Sequence, residues 1–134
     1  MTAQGGSYDE NALRIDKNQG TITIVRGVSE TVVVRIGTVR SVDVARIVSP
    51  SANAVAEAKK FEHDYRPGTW IASLGIATLG AAIGSARIAD LNLAIPTGLT
   101  ITGVGLITYG GNRMGNALRA LSRSIWWYNR DLVK

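Results

Sequence analysis

Few side chains in this sequence have the type and spacing that chemistry requires. Glu62-His63-Asp64 places the sole histidine between two carboxylates. Consecutive residues on a helix point about 100° apart, so these three side chains cannot converge on one metal ion, and a solvated charged helix end is the better interpretation. The chain has no cysteine, which excludes a thiolate nucleophile or a thiolate metal ligand. Arg87 and Asp90 are close enough to pair across a loop, which favours a turn between helices over a transport site.

Motifs for nucleotide binding and hydrolysis are missing too. The sequence contains no GxxxxGKS/T phosphate loop, no dinucleotide-binding glycine pattern after a strand and no GxSxG elbow. We therefore expect no enzyme, no catalytic residues, no metal site and no cofactor.

The net charge of +5 could suit a nucleic-acid binder, but its distribution argues otherwise. Residues 1–68 hold nine basic and eight acidic side chains, whereas residues 112–134 hold five basic and one acidic. The excess therefore directly follows a hydrophobic segment, where membrane topology places positive charge. We expect no nucleic-acid partner.

Two long uncharged runs dominate the C-terminal half. Pro67–Ala86 gives 20 residues without a charge and Leu91–Asn112 gives 22. A helix of about 20 apolar residues crosses the ~30 Å hydrocarbon core of a bilayer. The runs predict a transmembrane two-helix hairpin over residues 67–112, with spans at Thr69–Ile88 and Leu93–Gly111. The alternative is a pair of buried helices in a soluble core, which the rest of so short a chain would have to cover on all sides.

Small residues recur within both runs, and Gly80 and Gly84 form a GxxxG motif. Helices in lipid associate through close packing, so small residues mark contact faces. The alternative is that glycine is simply common in membrane helices. The sequence leaves open whether the contact lies within the hairpin or with another chain. The predicted helix-packing residues are Gly75, Gly80, Gly84, Gly98, Gly103 and Gly105.

Aromatic and basic residues flank the hydrophobic runs. Indole and phenol rings favour the headgroup layer, and arginines there reach lipid phosphates. Residues 113–134 therefore predict a basic aromatic interfacial helix. The alternatives are ordinary packing of this helix against the N-terminal part and, less favoured, a platform for stacking nucleic-acid bases. The predicted membrane-interface residues are Trp70, Arg119, Arg123, Trp126, Trp127, Tyr128 and Arg130.

The N-terminal half contains β-branched runs separated by glycines. Segments near Ala12–Asp16, Thr21–Val25 and Thr31–Ile36 predict a β-hairpin or a three-stranded meander in a small extramembrane domain, residues 1–48, with a flexible start up to Asn11. Helix-start signals follow at Ser41 and at Ser49-Pro50, and the second opens an amphipathic helix over residues 49–66 that ends or kinks at Arg66-Pro67-Gly68. The predicted fold class is α+β.

The C-terminal segment Asn116–Asn129 carries a resemblance. Together with the glycine-rich hairpin, its Ser-Ile-Trp-Trp-Tyr-Asn end resembles a loose group of uncharacterised bacterial envelope proteins of the Bacteroidetes type, although Ser124 stands where alanine is usual. The resemblance covers roughly residues 40–130. It implies a membrane-associated architecture and no known activity. Many members begin with a signal peptide, which this sequence does not show.

Taken together, these features predict a non-catalytic integral membrane protein that acts as a small structural or accessory subunit. Its partners would be membrane lipids and other membrane subunits or copies of itself. The alternatives are a lipid-surface or lipid-binding envelope protein and a self-assembling soluble scaffold. We expect a bacterial membrane, with the inner membrane and cytoplasmic termini favoured, or the envelope if a signal peptide precedes this start.

Overall fold

The computed structural model describes residues 5–18, 21–37, 42–88 and 92–134. The fold is α+β, with a three-stranded antiparallel sheet and two long helices. The elements are α1 (Gly5–Asn11), β1 (Leu13–Asn18), β2 (Thr21–Arg26), β3 (Thr31–Ile36), α2 (Val44–Ile47), α3 (Ala52–Ser85) and α4 (Ala94–Asp131).

The strands form the meander β1-β2-β3, which confirms the antiparallel sheet expected from the β-branched runs. Gly27, in the turn between β2 and β3, has a positive φ of 69°. A Cβ there would lie 2.7 Å from the Glu10 carbonyl oxygen, so only glycine fits. The turn also donates a hydrogen bond from the Val28 N–H to the Asp9 carbonyl, 3.0 Å away. This contact joins the turn to α1, and Gly5–Asn11 form a helix in the segment where we predicted a flexible start up to Asn11.

The helices begin at caps two residues from the predicted ones. Asp43 caps α2 by accepting a hydrogen bond from the Arg46 N–H at 2.9 Å. The predicted cap Ser41 lies outside the described residues. Ser51 caps α3, because its Oγ accepts from the Ala54 N–H at 3.3 Å.

Both long helices continue past boundaries that we predicted, an end or kink at residues 66–68 and a division between residues 112 and 113. Pro67 lies inside α3, so the helix does not end at Arg66-Pro67-Gly68. The second hydrophobic segment and the basic tail are one helix of 38 residues, α4. The chain instead divides into two compact units, of which the first comprises residues 1–63 with 117–134 and the second comprises residues 64–116.

The first unit has an apolar core contributed by its strands and helices. Its fully buried large side chains include Leu13, Ile24, Val44, Phe61 and Leu121. Side-chain hydrogen bonds also connect the elements of this unit. They are Asn129 with the backbone of Leu13, Ser124 with the Ala54 carbonyl, and Ser51 with Asp131. The C-terminal end of α4 is therefore an integral part of this unit.

Candidate functional site

The second unit is an antiparallel helical hairpin closed by glycines. A Cβ on Gly75 would lie 2.8 Å from the Gly103 carbonyl oxygen. A Cβ on Gly110 would lie 2.5 Å from the Ala72 backbone nitrogen and 2.7 Å from the Gly68 carbonyl oxygen. Backbones this close leave no room for a side chain, and such approach is typical of helix pairs in membranes.

Buried positions in the hairpin recur every seventh residue. They are Gly68, Gly75 and Ala82 on α3, and Pro96, Gly103 and Gly110 on α4. A seven-residue spacing keeps one narrow stripe of each helix facing the partner helix. We call these six residues the glycine seam. Sequence reasoning missed Gly68 and Gly110, which a search for small residues at heptad spacing would have found.

The predicted helix-packing glycines fall into two groups. Gly75 and Gly103 lie in the glycine seam. At each of the other four, a Cβ would have no heavy atom within 4 Å, so these glycines face away from the partner helix. The GxxxG motif is therefore not used within the hairpin, and its contact with another chain stays a prediction. The outward-facing glycines are Gly80, Gly84, Gly98 and Gly105.

The outside of the hairpin is apolar. Among the described residues, ten of the fourteen exposed large hydrophobic side chains lie in residues 64–116, including Leu74, Ile76, Ile83 and Ile101. Only 17% of the most apolar window of α3 is buried. Within the described part of the chain, α3 is the one helix long and apolar enough to cross a membrane. The composition is thus consistent with membrane association, and the predicted second span does not meet the same criterion.

Threonines and glycines lower the mean hydropathy of both helices, and five of the hydroxyls are hydrogen-bonded within their own helix. The Thr97 and Thr100 hydroxyls each donate to the carbonyl four residues earlier, at 2.8 Å. Thr69, Thr78 and Ser85 likewise donate to carbonyls of α3, at 2.8 to 2.9 Å. Hydroxyls satisfied within their own helix are tolerated in hydrocarbon, where an unsatisfied polar group is costly.

Charged and aromatic side chains gather at the open end of the hairpin. Arg113 Nε lies 2.9 Å from Asp64 Oδ1. This hydrogen bond to Asp64 raises the pKa of Arg113. The rings of Trp70 and Tyr109 are 59% and 58% exposed. Because Gly110 sits between Gly68 and Ala72, these two rings lie at about the same level of the hairpin. Sequence reasoning selected Trp70 and missed Tyr109, although both stand near the ends of the uncharged runs.

In the first unit, some of the predicted interface residues of α4 are exposed and one is buried in the core. Tyr128 is 7% exposed and belongs to the core, which corrects the expectation that its ring faces headgroups. Trp126 is 55% exposed. The Arg130 guanidinium stacks over the Trp127 ring at 4.2 Å and the Trp126 ring at 5.3 Å. Arg119 and Arg123 are exposed.

Of the acidic residues that the sequence analysis selected, Glu62 has a structural contact and Asp90 lies outside the described residues. Glu62 accepts a hydrogen bond from the Ala45 N–H at 3.0 Å and so ties α2 to α3. Asp90, expected to pair with Arg87, lies outside the described residues. Among the described residues no group of three His, Cys, Asp or Glu side chains could hold a metal ion.

Comparisons with known proteins do not assign this chain to a family. No protein-family profile, curated protein or solved structure matches this chain.

Proposed function

We propose that this protein is a non-catalytic integral membrane protein whose α3 and α4 cross the bilayer as a hairpin, and that it serves as a small accessory subunit of a larger membrane assembly. The observation that carries the proposal is the apolar outer surface of the hairpin around the closed glycine seam. In water this surface would remain exposed, whereas hydrocarbon covers it on all sides.

The dimensions and ends of the hairpin support this. The 20 uncharged residues 67–86 correspond to about 30 Å of helix, which matches the hydrocarbon core. The Asp64–Arg113 ion pair and the exposed rings of Trp70 and Tyr109 lie at one end, where headgroups and water would meet them. The hydroxyls of Thr97 and Thr100 are satisfied within α4, which lowers the cost of placing these two residues in hydrocarbon.

The accessory role rests on the outward glycines. Gly80 and Gly84 leave open space on the outer face of α3, which would let a neighbouring helix approach closely. The proposal of no catalysis rests on the missing motifs in the sequence. The resemblance to bacterial envelope proteins favours a bacterial membrane as the location.

Alkaline carbonate extraction tests the membrane assignment. We expect the full chain to remain in the membrane pellet and to require detergent for solubility. Ile76→Lys combined with Ile101→Lys should release a large fraction, because each lysine would place a charge near the middle of a span. Val28→Lys, at an exposed turn of the first unit, is the matched control and should stay in the pellet. A wild-type chain that appears in the supernatant as a folded monomer contradicts the proposal.

The second candidate is a lipid-surface module, which the exposed Arg119, Arg123 and Trp126 favour. A protein held only at the surface by charge would leave the membrane at alkaline pH or high salt. The same extraction therefore separates the two candidates.

A further inference from the structure

One face of α4 in the first unit is basic and aromatic. Arg119, Arg123, Trp126 and Arg130 are all exposed, and their spacing of four, three and four residues aligns them along the helix. Lys17 of β1 joins them across a shallow depression of about 320 Å³. We call this depression, lined by Lys17, Leu118, Arg119, Ser122 and Arg123, the basic depression.

The positive charge of the basic depression is not compensated within the described part of the chain. There, Lys17, Arg119 and Arg123 form no ion pair. The carboxylate of Asp131, the one acidic residue of the C-terminal tail, already accepts hydrogen bonds from Ser51 and Lys134. Three cations around one depression attract an anion, and the Ser122 hydroxyl adds a neutral donor.

We propose that the basic depression binds the phosphate of an anionic phospholipid headgroup, an inference that rests on the proposed membrane location. Lys17, Arg119 and Arg123 supply the positive charge, and Ser122 can donate to a phosphate oxygen. The aliphatic side chain of Leu118 also lines the basic depression. Trp126, one turn beyond Arg123, presents the kind of ring that favours the headgroup layer. A membrane-spanning hairpin would also keep the chain beside a bilayer, and the anionic lipids of a bilayer form a polyanionic surface.

Lipid retention by the full chain tests this site. The protein would be purified in neutral detergent, incubated with phosphatidylglycerol or with phosphatidylcholine of the same acyl chains, and analysed by native mass spectrometry. A hydrogen bond to a charged group contributes about 1.5 kcal/mol or more, so Lys17→Gln/Arg119→Gln/Arg123→Gln should weaken phosphatidylglycerol retention at least about tenfold. Arg14→Gln/Arg35→Gln/Lys59→Gln removes the same charge from exposed positions outside the depression and should stay within about threefold of wild type.

The outcomes separate this inference from the proposed function. A wild-type chain that resists carbonate extraction but shows no preference for phosphatidylglycerol overturns the headgroup site alone. Equal losses in both triple variants overturn it too, because they indicate a general charge effect. Inorganic phosphate that displaces the lipid at equal concentration assigns the depression to free phosphate. An oligonucleotide that binds more tightly than the lipid, and only with the three cations present, assigns it to nucleic acid. Either result overturns the lipid headgroup as ligand.

Discussion

At the scale of single residues, Asn129 is the most informative polar side chain of the first unit. Its Oδ1 accepts from the Leu13 N–H and its Nδ2 donates to the Leu13 carbonyl, both at 2.8 Å. The amide thus pairs with the first residue of β1 much as a neighbouring strand would. Through these two hydrogen bonds, Asn129 helps to hold α4 to the sheet.

Replacing Asn129 should destabilise the first unit. Asn129→Ala leaves the Leu13 N–H and carbonyl without this partner in a partly buried place, which costs about 2–4 kcal/mol. Tryptophan fluorescence of the detergent-solubilised chain during thermal unfolding would measure the loss. Asn116→Ala, at an exposed position of the same helix, should change the melting temperature little. Similar melting temperatures for both variants would contradict the structural role.

Asp131 predicts a dependence of stability on acid. The hydrogen bonds from Ser51 and Lys134 lower the pKa of Asp131 below its ordinary value. Because the folded pKa lies below the unfolded one, the ionised carboxylate stabilises the fold above about pH 4, and this contribution disappears as the pH falls through the folded pKa. Asp131→Asn should lower the melting temperature at pH 7 and reduce its further fall towards pH 3.

Thermal unfolding at both pH values checks the Asp131 prediction. Ser51→Ala removes the hydrogen bond that lowers the pKa of Asp131 most and should give an intermediate result, with an added loss from the cap of α3. If the melting temperature of Asp131→Asn fell between pH 7 and pH 3 as much as that of the wild type, the carboxylate would not contribute to acid sensitivity.

At the scale of elements, the glycine seam decides how α3 and α4 pair. Gly75 and Gly80 lie on the same helix but have opposite surroundings, because Gly75 touches the Gly103 backbone whereas Gly80 faces open space. Bulk at the two positions should therefore have different consequences. This separates closure of the hairpin from assembly with a neighbour.

Gly75→Leu should open the hairpin, since a Cβ alone would lie 2.8 Å from the backbone of α4. Overpacking usually costs about 1–3 kcal/mol, and here two of the three nearest atoms, the Gly103 carbonyl oxygen and the Ile107 backbone nitrogen, cannot move aside as a side chain could. Gly80→Leu should leave the hairpin intact and weaken only association with another chain. Thermal unfolding in micelles reports the first effect, and crosslinking in native membranes reports the second. Ile83→Leu, which conserves volume, is the control, and equal tolerance of both glycine variants would count against the seam.

At the scale of the whole molecule, the two-span proposal fixes an orientation from charge. Lys59, Lys60 and Arg66 precede the first run, five basic residues follow the second, and the connecting loop has only Arg87, offset by Asp90. The positive-inside rule then places both termini in the cytoplasm.

Single cysteines test this orientation without interference, because the native chain has none. Cysteines in place of Ser7 and Lys134 should resist a membrane-impermeant maleimide in intact cells. A cysteine in place of Asn92, beside the connection of the hairpin, should react without permeabilisation. If both termini were labelled and residue 92 were protected, the orientation would be opposite to the one expected. Labelling on both sides of the hairpin would exclude a double span.

Local chemistry was enough for several features of this protein. Runs of β-branched residues between glycines predict an antiparallel hairpin or meander, because strand propensity and turn formation act over a few residues. The uncharged runs predict long apolar helices, and α3 has the length and apolarity that a span requires. Neither conclusion depends on which elements meet in space.

Contacts distant in sequence decided the rest. Pro67 stays helical where the local rule predicts a break, in a hairpin whose closure brings Gly68 against the backbone of α4. The visible GxxxG motif at Gly80 faces outward, while the less obvious heptad of Gly68, Gly75 and Ala82 makes the contact, because only pairing of two helices selects which stripe is buried. Lys17 and Arg123 likewise come together only because β1 and α4 fold into one unit. A linear sequence fixes local geometry, whereas the choice among faces is made by packing, which sums over residues far apart in the chain.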